Sequence, residues 1–487
     1  MIRRLNRSFF LFATTLALLL GITFAQQTGS NGVPTGIPEE WLDPTALTFE
    51  DIEFAQLEPT RHVLSNGIIV YLLEDPSLPL VEGVTYLDVG SLYDPADQVS
   101  LASLTATLLR EGGTQDLAPA ELDERLEFLA ASIEASASTS LTSVSFSSLS
   151  DNIDEVLGLY ADVLSSPGFD ARRLEVARGR TLEAIRRQND NPVQIAVREF
   201  NSRLAAGHPA GYYPTADTVN AISRDDIVSF YETYYKPNIS VMAISGDFDT
   251  DTMLATLEEV FSDWETGEVS YPDLPEYDPT PEPQVYLAQR DQEQSVIIIG
   301  QPSVYAYTPA YNDLSVANEV LGGGGFSSRL FTEIRTRRGL AYATGSQLGQ
   351  GFEYPGTFLA FGITRTDATT QVLSLILEEI RTMQQETVSP EELEIQRSSI
   401  VNSAVFRETS AAAAVQRTAR ANELLGLEPG YYNRYIERVQ DVTVEDVRAI
   451  MAQELNPDQM LIMVVGNAEG FDGSLAEFGE VVPIDLE

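Results

Sequence analysis

Residues 321–328 read LGGGGFSS. Glycine reaches positive φ and lets a second backbone come close, so Gly322, Gly323, Gly324 and Gly325, followed by Phe326, form a candidate ligand loop. A nucleoside-triphosphate loop would need G-x-x-x-x-G-K-[ST], with a lysine reaching the phosphates. Here Phe326, Ser327, Ser328 and Arg329 follow the glycines, and no lysine is near. A dinucleotide loop would need a preceding strand and an acid about 20 residues on, whereas residues 312–321, NDLSVANEVL, look helical. Phosphate fits on neither count. The other reactive side chains are few. The chain has no cysteine, which excludes thiol nucleophiles, thiolate metal sites and disulfides. Its two histidines, His62 and His208, are 146 residues apart, and a solitary histidine reads as structural before it reads as a metal ligand.

The elements that would position these residues are duplicated. Residues 221–247, AISRDDIVSFYETYYKPNISVMAISGD, align without a gap onto 441–467, DVTVEDVRAIMAQELNPDQMLIMVVGN, at an offset of 220. Ser223 and Thr443 each precede an acid three residues on, Asp226 and Asp446, which predicts a capped helix start. Each copy continues with an amphipathic helix, a turn holding Pro237 or Pro457, an apolar strand and a glycine, Gly246 or Gly466. Residues 172–185 match 391–404 in the same way, and a period this long marks duplicated domains, not a solenoid. Asn66-Gly67 between apolar runs predicts a hairpin. The alternation in SLTSVSFSSLS (140–150) predicts a half-buried strand, and DERLEFLAASI (123–133) and IDEVLGLYADVL (153–164) carry helical spacing. Hairpins mixed with helices predict an α+β domain used twice.

The bulk composition sets further bounds. A chain of 487 residues suits two domains of about 200. Residues 1–25, three arginines followed by an apolar run ending in Thr23 and Ala25, predict a secretory signal peptide cleaved after Ala25, and so a secreted or periplasmic protein; an uncleaved anchor is the alternative. No later segment is long and apolar enough to span a bilayer, so no stable membrane span is expected after cleavage. Residues 26–57 read as a flexible arm. Residues 262–284, with five prolines and no base between Asp263 and Arg290, read as an extended acidic linker. Cleavage would take the formal charge from −43 to −46, a field that makes nucleic acid a poor partner. A soluble acidic surface explains that charge, as would a chamber that attracts basic peptides.

The stretch LGGGGFSSRLFTEIRTRRGLAY (321–342) closely resembles the second-domain motif of the insulinase/pitrilysin family of zinc metallopeptidases, which includes the mitochondrial processing peptidase. LSNGIIVYLLED (64–75) looks like that family's opening hairpin, and residues 207–249 look like its first-domain closing segment. The resemblance implies an α+β fold of two homologous α/β-roll domains, here 58–261 and 285–487, joined by a hinge linker. In the family, an H-x-x-E-H helix and a distant glutamate hold zinc, and the first glutamate polarises the attacking water. The matching stretch is SLASLTATLLREGGT (100–114), anchored at Gly113-Thr114. With one extra glycine allowed, the motif positions fall on Ser103, Ala106 and Thr107. The distant glutamate falls on Ala184, give or take one residue, beside Glu183. Hydroxyls and methyls do not replace imidazole and carboxylate around zinc.

The resemblance therefore implies a chain with no metal or cofactor of its own and no catalytic residue when alone, similar to the non-catalytic alpha subunit of the mitochondrial enzyme. Zinc is expected in a partner subunit that carries H-x-x-E-H, forming a heterodimer that acts on peptides. Arg335 and Tyr342, seven apart, stand where family members place an arginine and a tyrosine that hold the substrate backbone and stabilise the oxyanion. The plainer reading puts Arg335 at a helix C-terminus and packs Tyr342 in a strand. The glycine run implies a substrate loop by the same resemblance, or a tight connection to a helix over 327–335. A peptide-binding or scaffold protein without an enzymatic partner is the alternative function. A peptidase with substitute metal ligands is a third reading.

Overall fold

A computed structural model describes residues 57–277, 284–404, 410–428 and 430–486. The expected signal peptide, all of the expected arm except Leu57, and linker residues 278–283 lie outside the described residues.

Two six-stranded mixed sheets organise the chain. The first half contains β1 (Thr60–Val63), β2 (Ile69–Glu74), β3 (Leu80–Leu87), α1 (Leu101–Glu111), α2 (Pro119–Phe128), β4 (Ser132–Ala137), β5 (Thr142–Leu149), α3 (Ile153–Ser165), α4 (Ala171–Arg186), α5 (Pro192–Leu204), α6 (Ala216–Ala221), α7 (Arg224–Tyr234), β6 (Ser240–Gly246) and α8 (Thr250–Val260). The second contains β7 (Gln284–Gln289), β8 (Gln294–Pro302), α9 (Pro309–Asn318), β9 (Ala341–Leu348), β10 (Thr357–Arg365), α10 (Thr369–Gln385), α11 (Pro390–Ala404), α12 (Ala411–Ala419), α13 (Tyr431–Asp441), α14 (Val444–Glu454), β11 (Leu461–Gly466) and β12 (Glu480–Ile484).

The strand orders are β1-β2-β6-β3-β5-β4 and β12-β7-β11-β8-β10-β9. The five strands from β2 to β4 thus reappear as β7 to β9, while the outer edge strand comes from opposite ends of the sequence. β1 runs antiparallel to β2, and β12 runs parallel to β7.

Local chemistry explains the elements. Both expected helix starts form: Ser223 and Thr443 accept from the amides of Asp226 and Asp446, and each aspartate accepts in return from its cap's backbone amide at 2.8 and 2.9 Å. β5 alternates buried and half-exposed residues as expected. The hairpin closes through a longer loop than Asn66-Gly67 alone, with Val63 opposite Ile69 and Gly67 at φ +91°. The helix expected over 123–133 ends at Phe128. Ala130 turns at φ +51° and Ser132 enters β4, because Ile133 pairs with Phe146 across the sheet and is fully buried there.

Each sheet buries one face under its own helices and the other under a helix from the opposite half. α5 lays Ile195, Ala196, Phe200 and Leu204 on Val296, Ile298, Met463 and Val465. At the equivalent place, α12 lays Val415 and Ala419 on Tyr71, Val84, Tyr86 and Ala243. This exchange ties the halves together through apolar burial, the dominant favourable term in folding. At one edge of the α12 contact, the Glu423 carboxylate accepts from Arg61 at 2.7 Å and from the Tyr71 hydroxyl at 2.6 Å. The connector adds four aromatic contacts: Tyr271 packs on Tyr93 and Tyr234, and Tyr277 on His208 and Tyr354.

Candidate functional site

Helix α1 carries the three first-half positions. Its entry is unusual: Ser100 sits at φ +100°, a left-handed conformation costly for a side-chain-bearing residue. Asp94 holds it there, accepting from the Ser100 amide at 2.9 Å and from the Ala102 amide at 2.8 Å. Burial pushes the Asp94 carboxyl up to about 6, against the opposing pull of those amides. One turn on, Ser103 is exposed, Thr107 is half-buried on the same face, and Ala106 is fully buried. The Thr107 hydroxyl donates to the Ser103 carbonyl at 2.9 Å, a bond internal to the helix.

Helix α4 packs beside α1, joined by an ion pair between Arg180 and Glu111. Ala184 lies on its open face in a shallow groove with Val176, Gly179, Arg180 and Arg187. Glu183 lines the same groove and is already paired: it bonds Arg187 at 2.8 Å and Arg186 at 3.0 Å, and these arginines hold its carboxyl below the usual range. The donor set at Ser103, Ala106, Thr107, Ala184 and Glu183 is two hydroxyls, two methyls and one carboxylate already paired twice, which does not fit zinc. Among the described residues, no three His, Cys, Asp or Glu side chains gather where they could hold a metal ion. The histidines stand apart from this face. His62 meets Thr60 at 2.9 Å on β1. His208 is buried, accepts from the Ala210 amide, and is pushed toward its neutral form by burial.

The second-half residues do come together. α9 runs on as a π-helical turn, Glu319–Gly323, and a short turn, Gly325–Ser327, leads into helical turns over 329–337. The helix expected over 327–335 therefore starts and ends two residues later, because Ser327 belongs to the tight turn. Arg335 lies in the last helical turn and Tyr342 on edge strand β9. The Arg335 guanidinium carbon sits 4.7 Å from the centre of the Phe331 ring and 5.8 Å from that of Tyr342. Phe326 meets Phe331 edge-on at 4.8 Å. Phe326 is 80% exposed and Tyr342 73% exposed, so the tyrosine does not pack into a core. Among the described residues Arg335 pairs with no carboxylate, whereas its neighbours Arg337 and Arg338 both pair with Glu333. The result is a solvent-facing ladder, Phe326–Phe331–Arg335–Tyr342, that presents a guanidinium steadied by π faces and a phenol. Sequence reading missed Phe331, although its spacing of four from Arg335 on a helix was a usable signal. It also missed Asp94, for which no signal was available.

The glycine run divides. Gly322 departs from the expected substrate loop: it is buried, and a Cβ there would lie 2.3 Å from the Ser346 amide nitrogen on β9. Gly324 is tight against the Gln396 side chain. Gly323 is exposed and lines a cleft with Asn201, Glu319, Gln347 and Thr357. Gly325, at φ +59°, turns the chain in open space and hands it to Phe326. No hydrogen bond or ion pair joins the α1 face to the Arg335 ladder among the described residues.

Comparison with known proteins agrees with this architecture. Residues 70–214 match the family described as Insulinase (Peptidase family M16), and residues 221–400 match Peptidase M16 inactive domain. Together these stretches span most of the chain. YmxG of Bacillus subtilis, described as an uncharacterized zinc protease, is 23% identical over 408 residues, which are 83% of this chain and 97% of that protein. A Mycobacterium leprae protein described in the same words is 26% identical over 400 residues, 81% of this chain and 89% of its own. Among solved structures, a peptidase M16 inactive domain from Pseudomonas fluorescens superposes with a TM-score of 0.77 at 24% identity, covering 84% of this chain and 98% of that one. The periplasmic protease PqqL of Escherichia coli gives 0.71 at 16% identity, covering 92% of this chain and 50% of its own.

Proposed function

The chain belongs to the insulinase family, peptidase family M16, and from that premise we propose that it is the zinc-less, substrate-binding subunit of a heterodimeric peptidase. In this reading a partner of the same family supplies an H-x-x-E-H helix and its zinc. This chain completes the peptide chamber and lends Arg335 and Tyr342. The observation that carries the reading is a contrast within one molecule: the metal positions hold serine, alanine and threonine, while the arginine and tyrosine of the other half stand together and exposed, with no carboxylate paired to Arg335 among the described residues. A guanidinium and a phenol both donate to an oxygen that gains charge, so they suit a peptide carbonyl on its way to a tetrahedral oxyanion. Stacking on Phe331 limits the conformations open to Arg335 before substrate arrives, which reduces the cost of ordering it. The arrangement of residues 1–25 supports a secreted or periplasmic location.

The test is reconstitution. Mixing this chain with a secreted H-x-x-E-H subunit of the same family from the same organism should yield zinc-dependent peptide hydrolysis that neither protein shows alone. Arg335→Ala should cut kcat by about 100-fold, the scale of losing one oxyanion donor, with assembly of the pair unchanged. Absence of any activity with such a partner would favour the non-enzymatic peptide-binding or scaffold reading.

A further inference from the structure

A second concave site lies between α9 and α13, beyond the Arg335 ladder. It is a cavity of about 280 Å³ whose wall includes Tyr311, Asn318, Glu319, Tyr431, Tyr432 and Tyr435. Four tyrosines and the Glu319 carboxylate share one small space. Their rings are fixed in place. The Tyr431 hydroxyl donates to the Ala306 carbonyl at 2.7 Å, Tyr435 meets the Ser315 hydroxyl at 3.1 Å, and Tyr431 and Tyr432 cross at 84°. The phenols crowd one another, and burial together with Tyr311, Tyr432 and Tyr435 pushes Tyr431 up to about 12. Tyr431 therefore stays neutral at neutral pH, and the cavity offers π faces with a carboxylate beside them.

A second observation is independent of the rings. Asn318 is buried, and its side-chain carbonyl oxygen has no hydrogen-bond donor among the described residues. A buried acceptor left unpaired is costly, and natural folds usually satisfy it. The group that would suit this wall carries a positive charge for the tyrosine faces and Glu319, and an alkyl stem for Leu348. The rings already show that preference once: Arg417, which does not line the cavity, places its guanidinium 5.0 Å from the centre of Tyr432.

We propose that this cavity is a subsite for a basic side chain, the guanidinium of arginine or the ammonium of lysine, on a bound peptide. The proposal rests on the peptide-binding reading for its biological meaning, and it names the substrate class: peptides carrying a basic residue. Three wall residues, Asn318, Glu319 and Leu348, also line the cleft that contains Gly323, so a peptide in that cleft has the tyrosine cavity next to it. A formal charge of −43 over the whole chain attracts basic peptides from a distance, and the cavity sorts them at contact.

The experiment uses the isolated chain and capped single residues, so it needs no partner subunit and stands or falls apart from the reconstitution. Nα-acetyl-arginine amide, Nα-acetyl-lysine amide and the neutral Nα-acetyl-norleucine amide are titrated by calorimetry at physiological salt. The cationic probes should bind saturably with one site per chain and at least about tenfold tighter than norleucine, the scale of a desolvated cation–π contact. Glu319→Gln and Tyr432→Leu should each remove most of that preference, and Glu155→Gln, a charge removed elsewhere, should not. Equal affinity for all three probes would overturn the proposal. So would wild-type selectivity in Glu319→Gln, which decides the matter if the leucine variant fails to fold.

Discussion

Replacing the glycines of the run one at a time by alanine separates their roles. At Gly322 an added methyl meets backbone: 2.3 Å to the Ser346 nitrogen, 2.6 Å to the Gly345 carbonyl carbon and 2.6 Å to the Ser346 hydroxyl. Neither α9 nor β9 yields cheaply, since the two elements pack closely and β9 is paired along most of its length to β10. The expected cost is that of overpacking a rigid contact, about 3 kcal/mol. At Gly325 the same methyl meets nothing within 4 Å, and the penalty comes only from φ +59°, about 1 kcal/mol for an alanine held left-handed. Gly324→Ala must displace the amide of buried Gln396, whose nitrogen donates to Ser327 at 3.0 Å, and should fall between them. Urea denaturation followed by circular dichroism gives the ranking directly. Gly322→Ala should lower the midpoint most and Gly325→Ala least. If Gly322→Ala proved as mild as Gly325→Ala, the run would not be a packed junction with an exposed exit, and the division of roles drawn from these contacts would fail.

Three further outcomes follow from the same geometry. Phe200→Ala, in the fully buried contact of α5 on the second sheet, should cost about 3–5 kcal/mol and let the two halves unfold in separate calorimetric steps. Glu423→Ala should cost about 1–3 kcal/mol in denaturant melts, because it leaves the Tyr71 hydroxyl and Arg61 without their shared acceptor across the halves. Asp94 has its carboxyl raised from 3.8 to about 6, so the native state binds more protons than the unfolded chain between those values; this group's contribution to stability therefore falls as pH rises through that window and is level above it. Asp94→Asn should remove that fall, about 3 kcal/mol, when melts at pH 4 and pH 7 are compared with wild type.

The repeat was the most legible part of the sequence. Ser223 with Asp226, and Thr443 with Asp446, announced two equivalent helices because a capping box is a local device with a local code. The strand at 142–149 was legible for a similar reason, since one face of it is buried and the other is not. The end of α2 was not, because Leu122, Leu126, Leu129 and Ile133 satisfy a helical period and only the pairing of Ile133 with Phe146 across the sheet decides for a strand. The exchange of α5 and α12 between halves also left no mark, since an apolar helix face does not say which sheet it will cover. At the site, the expectation that Ser103, Ala106 and Thr107 stand where relatives hold zinc came from the resemblance, and residue types alone argue against metal there. Asp94 was hidden because its role depends on the left-handed turn at Ser100. The tyrosine cavity was hidden because Tyr311 lies 120 residues from Tyr431.

The central claim of the proposed function is that Ser103, Ala106, Thr107 and Ala184 offer no donor set for the family's metal, so that hydrolysis would fall to another chain. Dialysing the purified chain against zinc, then measuring bound metal by elemental analysis, addresses it without any assumption about partners or substrates. The account predicts far less than one equivalent of zinc retained, with no peptide hydrolysis. One tightly held zinc per chain, released when Thr107 or its neighbours on α1 are changed, would contradict it.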